Sequence, residues 1–480
     1  MKKLNLSLIS LALASSVYSV PNNFKYGDIV SAEKMNENFD FVLKDIRATE
    51  VYCNAGETIK SALESGFNYL TIYGTCTDQI IAASPVDLVE FGLDQEKLPP
   101  TFGNLIIKGG ETNRSSILGE GSMVGTAFQS SLQLINVTIK EHLSASYGSL
   151  IHLKDTTVDA TDGEIYITEN SNFIVENSNI QIPVILQSGS FARFKSIDIS
   201  ISSNSPFFSL EQGSVLEMNN VKITHQSDEF TVEQTSDINN AESLVLATGN
   251  SSASISDSTI QTKNSAAIII QGSFLQLNNS TVKSDGFINT AIVGSDMIIE
   301  NSTLINTINE AMTIIEGSSG RISNSNISST GDQALFISRS NLTINNNSSI
   351  SLSDATDTGK ETMLIASGSF VDLNNSTVTN TTTGSAIYLT ESSSLMVEKS
   401  TIQSQSDDAI GVNYGSKLFA KSSGDTINID RINDTNNIDI SAYNQSSIFF
   451  GNNSYSGNIS CSVPSYVDIN DTSNVSGCSE

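Results

Sequence analysis

The chain has 480 residues, enough for two or three globular domains or for one elongated repeat domain. Only 38% of residues are apolar, and runs of Ser, Thr and Asn recur throughout, a balance that suits a thin solenoid better than a compact sphere. With a formal net charge of −28 and only 24 lysines and arginines in all, the sequence excludes nucleic acid as a partner and leaves solubility or surface cation binding as uses of the charge.

Residues 1–19, MKKLNLSLISLALASSVYS, read as a secretory signal: Lys2 and Lys3 lead, an apolar run follows, and Val17 and Ser19 suit a cleavage site. No later stretch is apolar for long enough to span a bilayer, so a secreted protein is expected, extracellular, on the cell surface or in the periplasm.

Residues 20–48 form a leader unlike anything after them. Ala32, Met35, Phe39, Val42 and Ile46 make a heptad stripe, and Ser31 is placed to cap it, which predicts a short helix. So short a helix is marginal alone. It serves either as an end cap or as a trimerisation element through 31–46.

Four cysteines fit an oxidising compartment. Three pairings are open, and proximity favours Cys53 with Cys76 and Cys461 with Cys478, one staple at each end. The domain plan is then a body over 49–460 with an N-terminal cap at 49–80, and a disulfide-closed C-terminal cap over 461–480.

From about residue 130 the chain repeats. GSFLQLNNSTV (272–282) returns almost unchanged as GSFVDLNNSTV (368–378), and an Asn-x-x-apolar unit ends at Ile139, Val158, Ile180, Ile199, Ile223, Ile260, Val282, Leu304, Ile327, Ile350, Val378 and Ile402. Successive gaps are 19, 22, 19, 24, 37, 22, 22, 23, 23, 28 and 24, with one long insertion before Ile260. Alternating apolar residues precede each anchor, a glycine turn precedes them, and a short apolar run such as AAIII or ALFI comes before that turn. The unit around Asn346 carries an extra residue, which predicts a strand one residue out of phase.

Each period thus holds three short strands and three bends. The fold class is all-β: a single-stranded parallel β-helix of about 22–24 residues per coil with a short N-terminal helical segment. The pattern resembles the right-handed parallel β-helix of the pectate-lyase-like superfamily. CNAGETIKSALESGFNYLTIYGTCTDQI (53–80) resembles its N-terminal entry with a capping helix, and GNLIIKGG (103–110) its first full coil.

Three residues before the anchors stand Asn136, Asn177, Asn220, Asn279, Asn301, Asn324, Asn347 and Asn375, with Asp155 and Asp257 in the same place. Stacked amides can bond from coil to coil, and Asn tolerates a left-handed bend. Such a ladder is expected to hide the amides, which sets the N-x-S/T matches at Asn279 and Asn301 aside as glycan acceptors.

The resemblance implies action on acidic polysaccharides through carboxylates, basic residues or calcium. SDDAIGV (406–412) resembles the Asp-Asp strand entry of polygalacturonase-like hydrolases, making Asp407 and Asp408 catalytic candidates together with Asp332. The same slot reads NSAAIII, NEAMTII, GDQALFI and GSAIYLT in other coils, with no Asn-x-Asp one coil earlier and no Gly-His-Gly after it. Asp468, Asn470 and Asp471 in DINDTSN are the candidate calcium ligands, without the glycine and distal Glu of an EF-hand. No other cofactor is expected.

Two functions follow. The chain reads first as an exported, non-enzymatic scaffold for adhesion or for binding a polysaccharide or cell surface. The alternative is a lyase or glycoside hydrolase acting on an acidic polysaccharide, which the superfamily resemblance and the aspartates alone support.

Overall fold

The computed structural model describes residues 46–83, 103–110, 116–119, 124–160, 163–201, 206–225, 243–286, 288–353, 359–405, 407–420, 428–431, 439–450, 457–462, 464–469 and 475–478. The leader up to residue 45, the insertion before Ile260 at 226–242, and Asn470 and Asp471 lie outside them. Two compact units divide the chain after Ile197.

The N-terminal unit opens with a cap. Thr58 accepts a hydrogen bond from Ser61 N at 3.0 Å and starts the helix Ile59–Glu64, whose Ile59 and Leu63 are buried. The Cys53–Cys76 disulfide ties the segment before this helix to the short strand Thr75–Cys76, with a Cα–Cα distance of 5.2 Å. Coils then stack in parallel on three faces. Asn104–Gly109, Ser131–Ile135, Leu150–Lys154 and Asn172–Glu176 pair in sequence on the first face. Thr138–Ile139, Thr157–Val158 and Asn179–Ile180 form the second, and Leu143–Ala145, Ile165–Ile167 and Val184–Leu186 the third.

The C-terminal unit repeats this plan. In the coil Phe274–Asn278, Thr281–Ser284 and Ile288–Val293, the inward Leu275, Leu277, Val282 and Ile292 are fully buried. Each such side chain contributes about 1.5–3 kcal/mol of burial, which is how a thin core holds a largely polar chain. The second copy of the eleven-residue segment does the same with Val371, Leu373 and Val378. A parallel β-helix of three strands per coil is therefore the architecture of each unit, and it closes at the C-terminal end with a Cys461–Cys478 disulfide.

The bends show why the repeat is written as it is. All eight asparagines have positive φ, from 46° at Asn375 to 63° at Asn347, and Asp155 and Asp257 match them at 51°. The left-handed conformation costs other side chains roughly 1–2 kcal/mol, so the Asn is first a backbone choice. Side-chain bonds run between some coils: Asn324 Nδ2 donates to Asn301 Oδ1 at 2.7 Å and Asn375 Nδ2 to Asn347 Oδ1 at 3.0 Å.

The amides are not hidden, however: Asn279, Asn301, Asn324, Asn347 and Asn375 are all exposed. The hidden polar file is the serine after each. Ser258 N donates to Ser280 Oγ at 3.2 Å, Ser280 N to Ser302 Oγ at 3.1 Å and Ser302 N to Ser325 Oγ at 3.1 Å, with every hydroxyl buried. A second buried file, Ser251, Ser273, Ser295 and Ser318, serves the glycine turn in the same manner. These hydroxyls satisfy main-chain groups that the sharp bends would otherwise leave buried and unpaired.

The coil at Asn346 also differs from the expected phase. Asn341–Asn345 stays in register with Ser319–Ser323, keeping Leu342 and Ile344 inward. The extra residue is absorbed at the bend, where both Asn346 and Asn347 take positive φ. A one-residue slip would have turned the apolar set outward, so the bend yields and the strand does not.

Candidate functional site

Inward positions are committed to the core, so chemistry falls to outward positions and to the variable bends before the third strand of each coil. In the C-terminal unit one such bend recurs as a polar residue, then a small residue, then the buried strand. Glu310, Gln333, Glu361, Ser385 and Asp408 each stand two residues before the paired residues Met312, Leu335, Met363, Ile387 and Ile410. Ala311, Ala334, Ala386 and Ala409, fully buried, follow four of them. Consecutive members are therefore about 4.8 Å apart, the strand spacing.

Close approach of one bend to the next fixes this edge. A Cβ on Gly331 would lie 1.5 Å from Ile308 O, and one on Gly384 would lie 1.9 Å from Lys360 O. Only glycine lets the main chain of one coil pass so near the carbonyl of the coil before it.

The electrostatics centre on Glu310. Its carboxylate accepts from Thr313 Oγ1 at 2.5 Å. Burial raises its pKa, Thr313 opposes that rise, nearby Asp332 adds to it, and Lys360 opposes it. Lys360 Nζ meets Asp332 Oδ2 at 3.2 Å, and Gln333 Nε2 donates to Glu361 Oε2 at 3.4 Å. The result is one desolvated carboxyl beside an ion pair, in a row of side-chain oxygens.

Asp332, Asp407 and Asp408 all lie on this edge, but they do not converge. Three coils separate Asp332 from Asp408, or roughly 14 Å. Asp332 Oδ1 accepts from Gln333 N at 2.7 Å, and Asp407 Oδ1 accepts from Asp408 N at 2.8 Å. The two aspartates make the same turn-capping bond in two coils, so the Asp-Asp pair reads as bend chemistry. Asp468 ends the strand Tyr466–Asp468, away from this edge in sequence. Among the described residues, no group of three His, Cys, Asp or Glu could hold a metal ion.

Glu310, Lys360 and Glu361 are members that the sequence reading passes over. Aligning the five coils from residue 310 to residue 408 on the small residue before the third strand would have shown Glu, Gln, Glu, Ser and Asp in one column, which Ile288 ends on the N-terminal side. Nothing in the sequence would have shown that desolvation raises the pKa of Glu310.

No protein-family model matches the chain, and no curated protein does. Among solved structures, the Azotobacter vinelandii mannuronan C-5 epimerase AlgE6 A-module is similar at 8% identity over 88% of this chain and 92% of that one, with a TM-score of 0.26. A likeness that low carries no argument about the site.

Proposed function

We propose that the protein is an exported, non-enzymatic β-helical scaffold of the cell surface or extracellular space that binds glycans. The observation that supports this most is the row Glu310, Gln333, Glu361, Ser385 and Asp408, set at strand spacing on a rigid sheet entrance. Glu361 and Asp408, half-buried, can accept hydrogen bonds from sugar hydroxyls, while Gln333 and Ser385 are buried in the bends, and a preformed row loses little entropy on binding. The surplus of carboxylates there repels acid sugars, so the ligand of this edge is a neutral glycan.

One observation favours a second reading. A carboxyl whose pKa is raised by burial, with Asp332 beside it, has the makings of a general acid, so Glu310 would be the catalytic residue of a polysaccharide-acting enzyme. One experiment separates the two. The mature protein is mixed with neutral and acidic polysaccharides, with and without calcium, and both binding and product are measured. Binding of a neutral glycan that Glu361→Gln weakens, with no product formed, is the expected result. Product that Glu310→Gln abolishes would overturn the scaffold reading.

A further inference from the structure

The N-terminal unit carries a surface of the opposite sign. On the outer face of its first sheet, strand pairing aligns Lys108, Ile135, Lys154, Glu176 and Lys195 in one file. Beside it runs a second file of Ile106, Gln133, His152, Ile174 and Arg193. Lys108, Lys154 and Lys195 are exposed, and none of the three has an ion pair among the described residues. Arg193 lies with its guanidinium 5.2 Å from the centre of the Phe191 ring, which orients a weakly hydrated cation along the face.

Four cations thus share this face with two carboxylates, Glu50 at its N-terminal end and Glu176 between Lys154 and Lys195, in a chain whose formal charge is −28. Glu176 has a side-chain neighbour on the face: His152 Nε2 lies 3.5 Å from Glu176 Oε2, and His152 Nδ1 lies 3.3 Å from Gln133 Nε2. Glu50, two strands before Lys108 in the first file, accepts from Tyr52 Oη at 2.6 Å and closes the row at that end.

Spacing then selects the partner. The lysines fall on alternate strands, so cations recur at roughly 9–10 Å. Between them stand Ile135, which offers an apolar contact to a ring face, and Glu176, which can accept from a sugar hydroxyl but not face an acid group. We infer that this face binds a linear acidic polysaccharide carrying one acid group per disaccharide, its acid sugars over Lys108, Lys154 and Lys195 and its uncharged sugars over Ile135 and Glu176.

The inference stands on the N-terminal unit alone, so the edge at Glu310 can fail without touching it. The test measures binding of the full mature chain to hyaluronan, which alternates acid and neutral sugars, and to polygalacturonate, which has an acid on every sugar. Hyaluronan is expected to bind more tightly and to weaken as salt is added. Lys154→Gln should weaken it about fivefold and Lys154→Gln with Lys195→Gln by more, while Lys154→Arg holds it and Lys417→Gln, at an exposed lysine of the C-terminal unit, leaves it unchanged. Hyaluronan that does not bind, or whose binding ignores Lys154→Gln, overturns the proposal. So does polygalacturonate binding as tightly as hyaluronan.

Discussion

The lysine file of the N-terminal unit and the acid row of the C-terminal unit are built on one backbone plan and carry opposite charge. In both, the residues that face inward are interchangeable in kind: Leu132 and Leu134 in one, Leu275 and Leu277 in the other, all fully buried. The outward residues are free of that constraint, so Lys154 occupies a strand position that Asn278 occupies in the C-terminal unit. A β-helix separates stability from recognition residue by residue along each strand. Function is therefore legible only in outward files and bends, and only once register is known.

That separation is open to breakage, and the largest effect should come from crossing it. Leu277→Ala removes a fully buried side chain and should cost about 2–5 kcal/mol in denaturant unfolding, whereas Lys154→Gln should stay within about 0.5 kcal/mol. Equal costs at the two positions would mean that the outer face is part of the fold's support. Next in size is Gly331→Ala, which drives a Cβ into Ile308 O. Overpacking of this kind costs about 1–3 kcal/mol, and here it should also loosen neutral-glycan binding while acid-glycan binding in the other unit holds. Loss of both together would refute the independence of the two surfaces.

Much of the fold was legible because it rests on single residues at fixed spacing. An inward alternation, a glycine such as Gly272 at φ 55° and an asparagine such as Asn301 at φ 52° each satisfy a local requirement that shows in a repeat. The recognition surfaces were not, for a physical reason. Lys108, Lys154 and Lys195 stand 46 and 41 residues apart, and only strand register makes them a file. Glu310 meets the influence of Lys360 across two coils of unequal length, and its desolvation is a property of the packed bend. The buried serines escaped notice because Ser is common at exposed positions too, so their burial left no mark in composition.

The serine and asparagine of one bend can be separated by experiment. Ser302→Ala leaves Ser280 N buried without its partner and should cost about 1–3 kcal/mol. Asn301→Gly keeps the left-handed conformation, so its cost should be a few tenths of a kcal/mol beyond the lost bonds from Asn324 and to Asn278. If Asn301→Gly costs as much as Ser302→Ala, the exposed amides hold the coils together more than the backbone argument allows.

The smallest effect tests the acid row itself. Burial raises the pKa of Glu310 in the folded chain above its unfolded value, so the folded state binds that proton more readily. Stability from this group is then fully present below the ordinary carboxylate range and declines as pH rises through the raised value. Glu310→Gln is neutral at every pH and keeps a group that Thr313 Oγ1 can donate to. It should flatten that part of the stability profile and be at least as stable as the parent at neutral pH, read from denaturation midpoints between about pH 4 and pH 8. A Glu310→Gln profile that still falls with rising pH would place the titrating group elsewhere and remove the reason for singling out this carboxyl.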